Sequence, residues 1–236
     1  MEAGGDGSQG ARQVELVVQQ VSMQLYPAVG EIEGKYLLRD VSAKADTSGV
    51  LAVMGPSGAG KTMLLSVLAD APPEIREGGL CRSYVPHITG DVTLNGEHLT
   101  PQLYASQVAF VGQKDQDLHA MLSCYDHVHS AVRLYRGNAS AKEATELADA
   151  ILSASGLASC KTTRAGSEDY PGLSGGQQRR LSVAIALAKT PAMLVCDEPT
   201  TGHAAAHRTG DTRLAPPCPH ALLCGRPRMV ARLSQA

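Results

Sequence analysis

The chain has 236 residues, 43% hydrophobic and 19% charged, which is enough for one globular domain with a sizeable core. Its formal net charge of −2 gives no electrostatic case for nucleic acid, because duplex binders carry a surplus of basic residues. Six scattered cysteines form neither a CxxC pair nor a zinc spacing, the start lacks a secretion signal, and no apolar run reaches the roughly 18 residues of a membrane span.

The first segments predict β-structure behind a disordered tail. Residues 1–13 are polar and Gly-rich, which is typical of a terminus without fixed structure. β-Branched residues and partial alternation predict strands at 14–25 and at 36–41. The run GVLAVM at 49–54 is apolar and bounded by glycine, which indicates a buried parallel strand.

A helix, a loop and a hairpin are predicted next. The helix runs from Lys61 to about Ala69, because the prolines that follow cannot continue it. Residues 72–88 are expected to form an inserted surface loop. Asn95-Gly96 lies between two alternating segments, which is a strong hairpin signal. A further strand is predicted at 108–111.

The second half of the chain is predicted to be mainly helical, from about residue 115 to residue 159. An Ala-, Leu- and Glu-rich helix is expected at 141–155, with Gly156 as its stop. Another helix is predicted at 174–189, with Ser174 as its N-cap.

A buried strand is predicted at 192–196, and it ends in two acidic residues. The whole order is antiparallel β material, then strand, loop and helix, then a helical insert, and finally helix and strand. This order predicts an α/β core with a small β subdomain and a helical subdomain.

One segment matches the phosphate-loop pattern G-x-x-x-x-G-K-[ST] in full. Its glycines let backbone N–H groups turn towards phosphate oxygens, and the N-terminus of the following helix adds partial positive charge. The lysine is expected to contact the β- and γ-phosphates of ATP, and the threonine to ligate Mg²⁺. The eight residues are Gly55, Pro56, Ser57, Gly58, Ala59, Gly60, Lys61 and Thr62.

The two acidic residues after the last strand complement this loop. Asp197, at a strand end beside a phosphate loop, is predicted to hold Mg²⁺. The adjacent Glu198 is predicted to orient or deprotonate the attacking water. A strand that ends in acids is weak evidence alone, and the complete phosphate loop strengthens it.

The segment LSGGQQRR at 173–180 identifies a subclass. Together with the phosphate loop, Gln113 after a strand, and the segment LVCDEPT, it resembles an ABC ATPase domain over roughly residues 14–202. The resemblance implies a P-loop NTPase core with an antiparallel β subdomain and a helical subdomain at about 115–180. It also implies ATP and Mg²⁺ as ligands.

The resemblance also assigns roles to single residues. Gln113 corresponds to the glutamine that touches Mg²⁺ and links the core to the helical subdomain. Tyr26 is the candidate to stack on adenine, with Tyr36 as the alternative. The signature residues would act on the nucleotide of a second domain that faces the first head to tail; they are Ser174, Gly175, Gly176 and Gln177.

Within the family, the segments around the phosphate loop and Gln113 look most like the G-type half transporters, although LSGGQQRR is closer to the general family. The resemblance implies a second ATP-binding domain, in a homo- or heterodimer, and a transmembrane domain as partners. It places the domain at the cytosolic face of a membrane, and the charge balance gives no role to nucleic acid. The transported substrate stays open.

The match breaks after Gly202. The family expects Leu-Asp where this chain has His203-Ala204, and a later strand followed by a histidine, for which His220 has no matching context. Residues 203–236 are therefore expected to be an aberrant, low-order tail, either from altered splicing or frame or as a genuine divergence. We expect an incomplete C-terminal core, marginal stability and weak or absent ATP hydrolysis by this chain. A non-catalytic nucleotide-binding fragment and a soluble, non-transport ABC ATPase are the alternatives.

Overall fold

A computed structural model describes residues 14–27, 34–46, 51–70, 84–113, 118–167, 169–198 and 229–232. The predicted disordered tail at 1–13 and most of the segment 203–236 lie outside these residues. The strands are β1 Glu15–Pro27, β2 Lys35–Asp46, β3 Leu51–Met54, β4 Tyr84–Leu94, β5 Glu97–His98, β6 Val108–Val111, β7 Met193–Cys196 and β8 Met229–Arg232. The α-helices are α1 Lys61–Leu68, α2 Pro101–Gln107, α3 Cys124–Tyr135, α4 Ala141–Ala154 and α5 Gly175–Ala188.

An antiparallel sheet in the order β2-β1-β4-β5 forms the first subdomain. Alternate residues of β1 point into one core and are almost fully buried, including Val21 and Met23. The predicted hairpin turn is confirmed: Asn95 and Gly96 have φ values of +56° and +79°, which suits a two-residue turn between β4 and β5.

One loop prediction was partly wrong. Residues 84–88, expected to belong to a surface loop, are the start of β4, because they pair with β1 from Pro27↔Tyr84 to Met23↔Ile88. The strand was missed because Pro86 and Gly90 interrupt its pattern. Helix α2 was also missed, although Thr100 as N-cap and Pro101 at the first helical position are ordinary start signals.

Two pairs of parallel strands make up the α/β part. Strand β6 pairs with β7, and β3 pairs with β8. Helix α1 follows β3, as predicted, and its buried residues Leu64, Val67 and Leu68 share one core with Val108 of β6 and Val195 of β7. Strand β8 lies in the segment predicted to lack regular structure.

Helices α3, α4 and α5 pack around a second core, whose residues include Val128, Leu152, Leu157 and Leu181. Each helix starts with a reciprocal capping box, in which an N-cap serine and the side chain three residues later exchange hydrogen bonds. The pairs are Ser123 with Asp126, Ser140 with Glu143, and Ser174 with Gln177. Among the described residues, no helix is long and apolar enough to cross a membrane.

Candidate functional site

The phosphate loop lies between β3 and α1, with its first four residues exposed. Gly58 and Gly60 have φ values of +81° and +86°, a left-handed conformation that glycine adopts without steric cost. A side chain at Gly60 would also meet Leu38 Cδ2 at 2.9 Å and the Leu37 carbonyl oxygen at 3.0 Å. Glycine is therefore required at this position both by backbone conformation and by the contact of the loop with β2.

Lys61 and the start of α1 give the loop its positive character. The Lys61 ammonium donates to the carbonyl oxygens of Gly55 at 3.0 Å and Pro56 at 2.7 Å, so its charge lies over the loop. Gly60 is the N-cap of α1 and offers no side-chain acceptor to the first N–H groups of the helix. The loop thus combines an ammonium group with a helix N-terminus, which favours an anion.

The predicted acidic pair follows β7. Asp197 is buried, at 5% exposure, and its N–H donates to the Val111 carbonyl of β6 at 2.9 Å. Glu198 is exposed and has a φ of +49°, which is unfavourable for a residue other than glycine. Such backbone outliers concentrate at functional sites, where the surrounding structure holds them.

Gln113 is exposed just beyond the end of β6, so the parallel pairing of β6 with β7 places it at the same sheet edge as Asp197. A residue that sequence reasoning missed connects the two positions. Arg179 of α5 is 1% exposed, and its guanidinium donates to the carbonyl oxygens of Gly112 and Asp197. The sequence shows only its position in the basic run after LSGGQ, which does not distinguish it from a surface arginine.

The signature segment forms the N-terminus of α5. Ser174 Oγ accepts from the Gln177 N–H, and Gln177 Oε1 accepts from the Ser174 N–H at 2.9 Å. Ser174 and Gly175 are exposed, Gly176 is buried, and Gln177 is half-buried. The capping residues fix the first turn of α5, of which Ser174 and Gly175 are exposed.

The loop before the signature is closely packed. Gly166 and Gly172 touch backbone to backbone, and a Cβ at Gly172 would lie 2.5 Å from the Gly166 Cα. Gln178 Nε2 also donates to the Ala165 carbonyl at 2.9 Å. These contacts hold the chain that leads into α5 against the preceding loop.

The two tyrosines differ in their surroundings. Tyr26 is half-buried on β1, its hydroxyl donates to Gln24 Oε1 at 2.8 Å, and its ring lies edge-on to His87 at 6.1 Å between centroids. Tyr36 is 47% exposed, with the Arg39 guanidinium 4.7 Å from its ring centroid. Both rings lie at the same end of the β1–β2 pair, because Tyr36 is the register partner of Gln24.

Shared packing brings most of these elements to one region. The helix after the phosphate loop packs on β6 and β7, whose ends carry Gln113 and Asp197. Helix α5 packs against Leu194 of β7 within the helical core. A phosphate loop, a buried carboxylate and a signature helix in this arrangement define the ATP-binding domain of the ABC class.

Comparisons with known proteins agree with this geometry. The family model described as ABC transporter matches residues 38–201. The chain is 37% identical over 169 residues to ABC transporter G family member 7 of Arabidopsis thaliana, and 33% identical over 178 residues to ABC transporter G family member STR2 of Medicago truncatula. These alignments cover 71% and 73% of this chain, and 22% and 23% of the relatives.

The chain therefore belongs to the ABC transporter family, as an ATP-binding domain similar to those of G family members. It spans less than a quarter of the length of these two relatives. The fold is also similar to that of the dimeric ATP-binding cassette MJ0796 bound to ADP and Pi, with a TM-score of 0.60 and 25% identity over 80% of this chain and 76% of that chain.

Proposed function

We propose that this chain binds ATP on the loop Gly55–Thr62 and forms hydrolytic sites with a second ATP-binding domain. The observation that carries the proposal is the phosphate loop itself, with two left-handed glycines and the Lys61 ammonium beside an uncapped helix N-terminus. Backbone N–H groups there would bind the phosphates, and Lys61 would move from the loop carbonyls to phosphate oxygens. Tyr26, near the end of β1, would stack on adenine.

The proposed donor set fits Mg²⁺. The Thr62 hydroxyl, the Gln113 amide and the Asp197 carboxylate supply oxygen atoms, which this ion prefers. Asp197 is buried, and hydrogen bonds that join its backbone to β6 and α5 fix its position. The carboxylate therefore projects from an immobile part of the main chain. Bound there, the ion would neutralise charge on the phosphates.

Glu198 would serve as the general base. Its exposed carboxylate accepts a proton as water attacks the γ-phosphorus, the bond from that phosphorus to the bridging oxygen of ADP breaks, and phosphate leaves. The Gln113 amide would orient the attacking water and the γ-phosphate.

The signature residues would complete the site of the partner. Ser174 and Gly175 are exposed, and with the partial positive charge at the start of α5 they would bind the γ-phosphate held by the other domain. By analogy with the G family relatives, closure around ATP and opening after hydrolysis would move a membrane domain and drive transport. The partner domain is either a second copy or a related chain.

A complementation experiment tests the head-to-tail arrangement. Lys61→Ala disables the phosphate loop, and Gly175→Asp disables the signature, so neither variant alone should hydrolyse ATP. A mixed dimer pairs the intact loop of one variant with the intact signature of the other. Turnover that returns on mixing supports the proposal, and turnover that stays absent while the wild-type chain is active contradicts it.

A further inference from the structure

Arg179 carries an inference beyond the proposed ATPase, and the inference rests on that proposed function. The Arg179 guanidinium is 1% exposed, and a charge buried this deeply is costly unless polar groups around it stabilise it. Its two terminal nitrogens donate to main-chain carbonyls, of Gly112 and of Asp197. Charged donors of this kind make stronger hydrogen bonds than neutral ones.

The two acceptors are each one residue before a proposed catalytic group. Gly112 precedes Gln113, and Asp197 precedes Glu198. The Asp197 N–H also donates to the Val111 carbonyl, so the ends of β6 and β7 are joined to each other as well as to Arg179. One side chain of α5 therefore holds the backbone at both sites.

The other end of α5 makes a comparable link to the same strand. Lys189 is the C-cap of α5, and its ammonium donates to the carbonyl oxygens of Val108, where β6 begins, and Tyr104. Burial lowers the pKa of Lys189. Among the described residues, no carboxylate forms an ion pair with this lysine. Helix α5 is thus attached to β6 at both ends by a cation that donates to carbonyls.

We propose that Arg179 is a positioning residue, which transmits the position of the signature helix to Gln113 and Glu198. Ser174, at the N-terminus of α5, lies five residues before Arg179, about 7.5 Å along the helix axis. When the partner's nucleotide engages that N-terminus, a shift of α5 moves both carbonyls together. The γ-phosphate bound by one domain contacts the signature of the other domain. It thereby sets the geometry of Gln113 and Glu198 in that other domain.

Lys189→Met is the matched control for Arg179→Met. Both variants remove a cation that links α5 to backbone carbonyls at β6, and both are expected to lower stability. Only the link through Arg179 adjoins the proposed catalytic residues. A purely structural role for Arg179 would make the two variants behave alike.

The steady-state test separates kcat from KM for ATP in the full chain, with the wild-type turnover, which we expect to be weak, as the reference. We expect Arg179→Met to lower kcat on the order of 100-fold, the effect of a misplacement of about 1 Å, with KM changed by less than about twofold. Lys189→Met should keep kcat near that of the wild type, and Arg179→Lys, which retains the charge, should recover part of it. Equal kcat losses in both Met variants, or unchanged kcat in Arg179→Met, would overturn the inference.

Hydrogen exchange supplies a readout that needs no turnover. Peptides that cover 108–113 and 193–198 should exchange faster in Arg179→Met than in Lys189→Met when both are compared at equal global stability. Equal exchange would overturn the inference. If Arg179→Met does not fold, Arg179→Lys takes its place in both measurements. A lower kcat and faster exchange than in Lys189→Met are again expected. Failure of the wild-type chain to bind ATP would refute the proposed function and leave the exchange comparison to decide the role of Arg179.

Discussion

Glu198 combines a proposed catalytic carboxylate with an unfavourable backbone conformation, and substitution can separate these two properties. Its φ of +49° costs a non-glycine residue about 1–2 kcal/mol. Asparagine adopts this conformation more easily, because its short amide can hydrogen-bond to the nearby backbone. Glu198→Asn should therefore stabilise the fold while it removes the proposed base.

The expected gain is part of that strain, about 0.5–1 kcal/mol in the free energy of unfolding, or roughly 1–4 °C in Tm for a chain of this size. Glu198→Gln removes the same charge but keeps a side chain without this preference, so it should lose turnover with no gain in stability. Gln20→Asn is the control for conformation alone. Gln20 is exposed on β1 with a φ of +50°, and this variant should gain stability and keep its turnover.

Urea unfolding and ATP turnover, measured on the same four proteins, give the comparison. If Glu198→Asn and Glu198→Gln have equal stability, the left-handed conformation is not a source of strain. If Glu198→Gln hydrolyses ATP at the wild-type rate, Glu198 is not the general base.

Three further predictions concern the signature, the helical core and pH. Gly175→Asp should leave stability unchanged or slightly raised, because an added Cβ meets no atom within 4 Å and Asp suits a helix N-terminus. The variant should nevertheless abolish ATP turnover, because its carboxylate repels the partner's phosphates. A destabilised variant in urea unfolding would contradict this. Leu181→Ala should cost about 3–5 kcal/mol in the same assay, since Leu181 is fully buried in the helical core, and a loss below about 1 kcal/mol would contradict that packing. Burial raises the pKa of the Cys124 thiol from 9.0 to about 12. The stability that the protonated thiol contributes is therefore complete below about pH 9 and is lost as the pH rises towards 12. The loss is up to about 1.4 kcal/mol per pH unit. Cys124→Ala should show a shallower loss than the wild type between about pH 9 and 10, and identical slopes would contradict the shifted pKa.

The elements that sequence reasoning found share strong local signals. The hairpin at Asn95-Gly96 needs two left-handed residues, and the helix after Ser174 starts with a capping box, both of which are visible in a few adjacent letters. The phosphate loop is similar, because Gly58 and Gly60 are demanded by backbone conformation.

The missed features depend on contacts between segments distant in sequence. The start of β4 is a strand because it pairs with β1, some sixty residues earlier, and its own proline and glycine hide the pattern. Arg179 is a polar residue inside a core, and its carbonyl acceptors lie 67 and 18 residues away. Such a residue resembles any surface arginine until the fold brings its acceptors together.

The loop Gly55–Thr62 is proposed to bind ATP, and equilibrium binding tests this proposal most directly. Labelled ATP would be titrated into the wild-type chain, Lys61→Ala and Lys142→Ala, the last a control on the exposed face of α4. We predict saturable binding to the wild type and Lys142→Ala, and affinity weakened at least about tenfold in Lys61→Ala, since a charged hydrogen bond contributes about 1.5–3 kcal/mol. Equal affinity in all three proteins, or no saturable binding to the folded wild-type chain, would contradict the assignment.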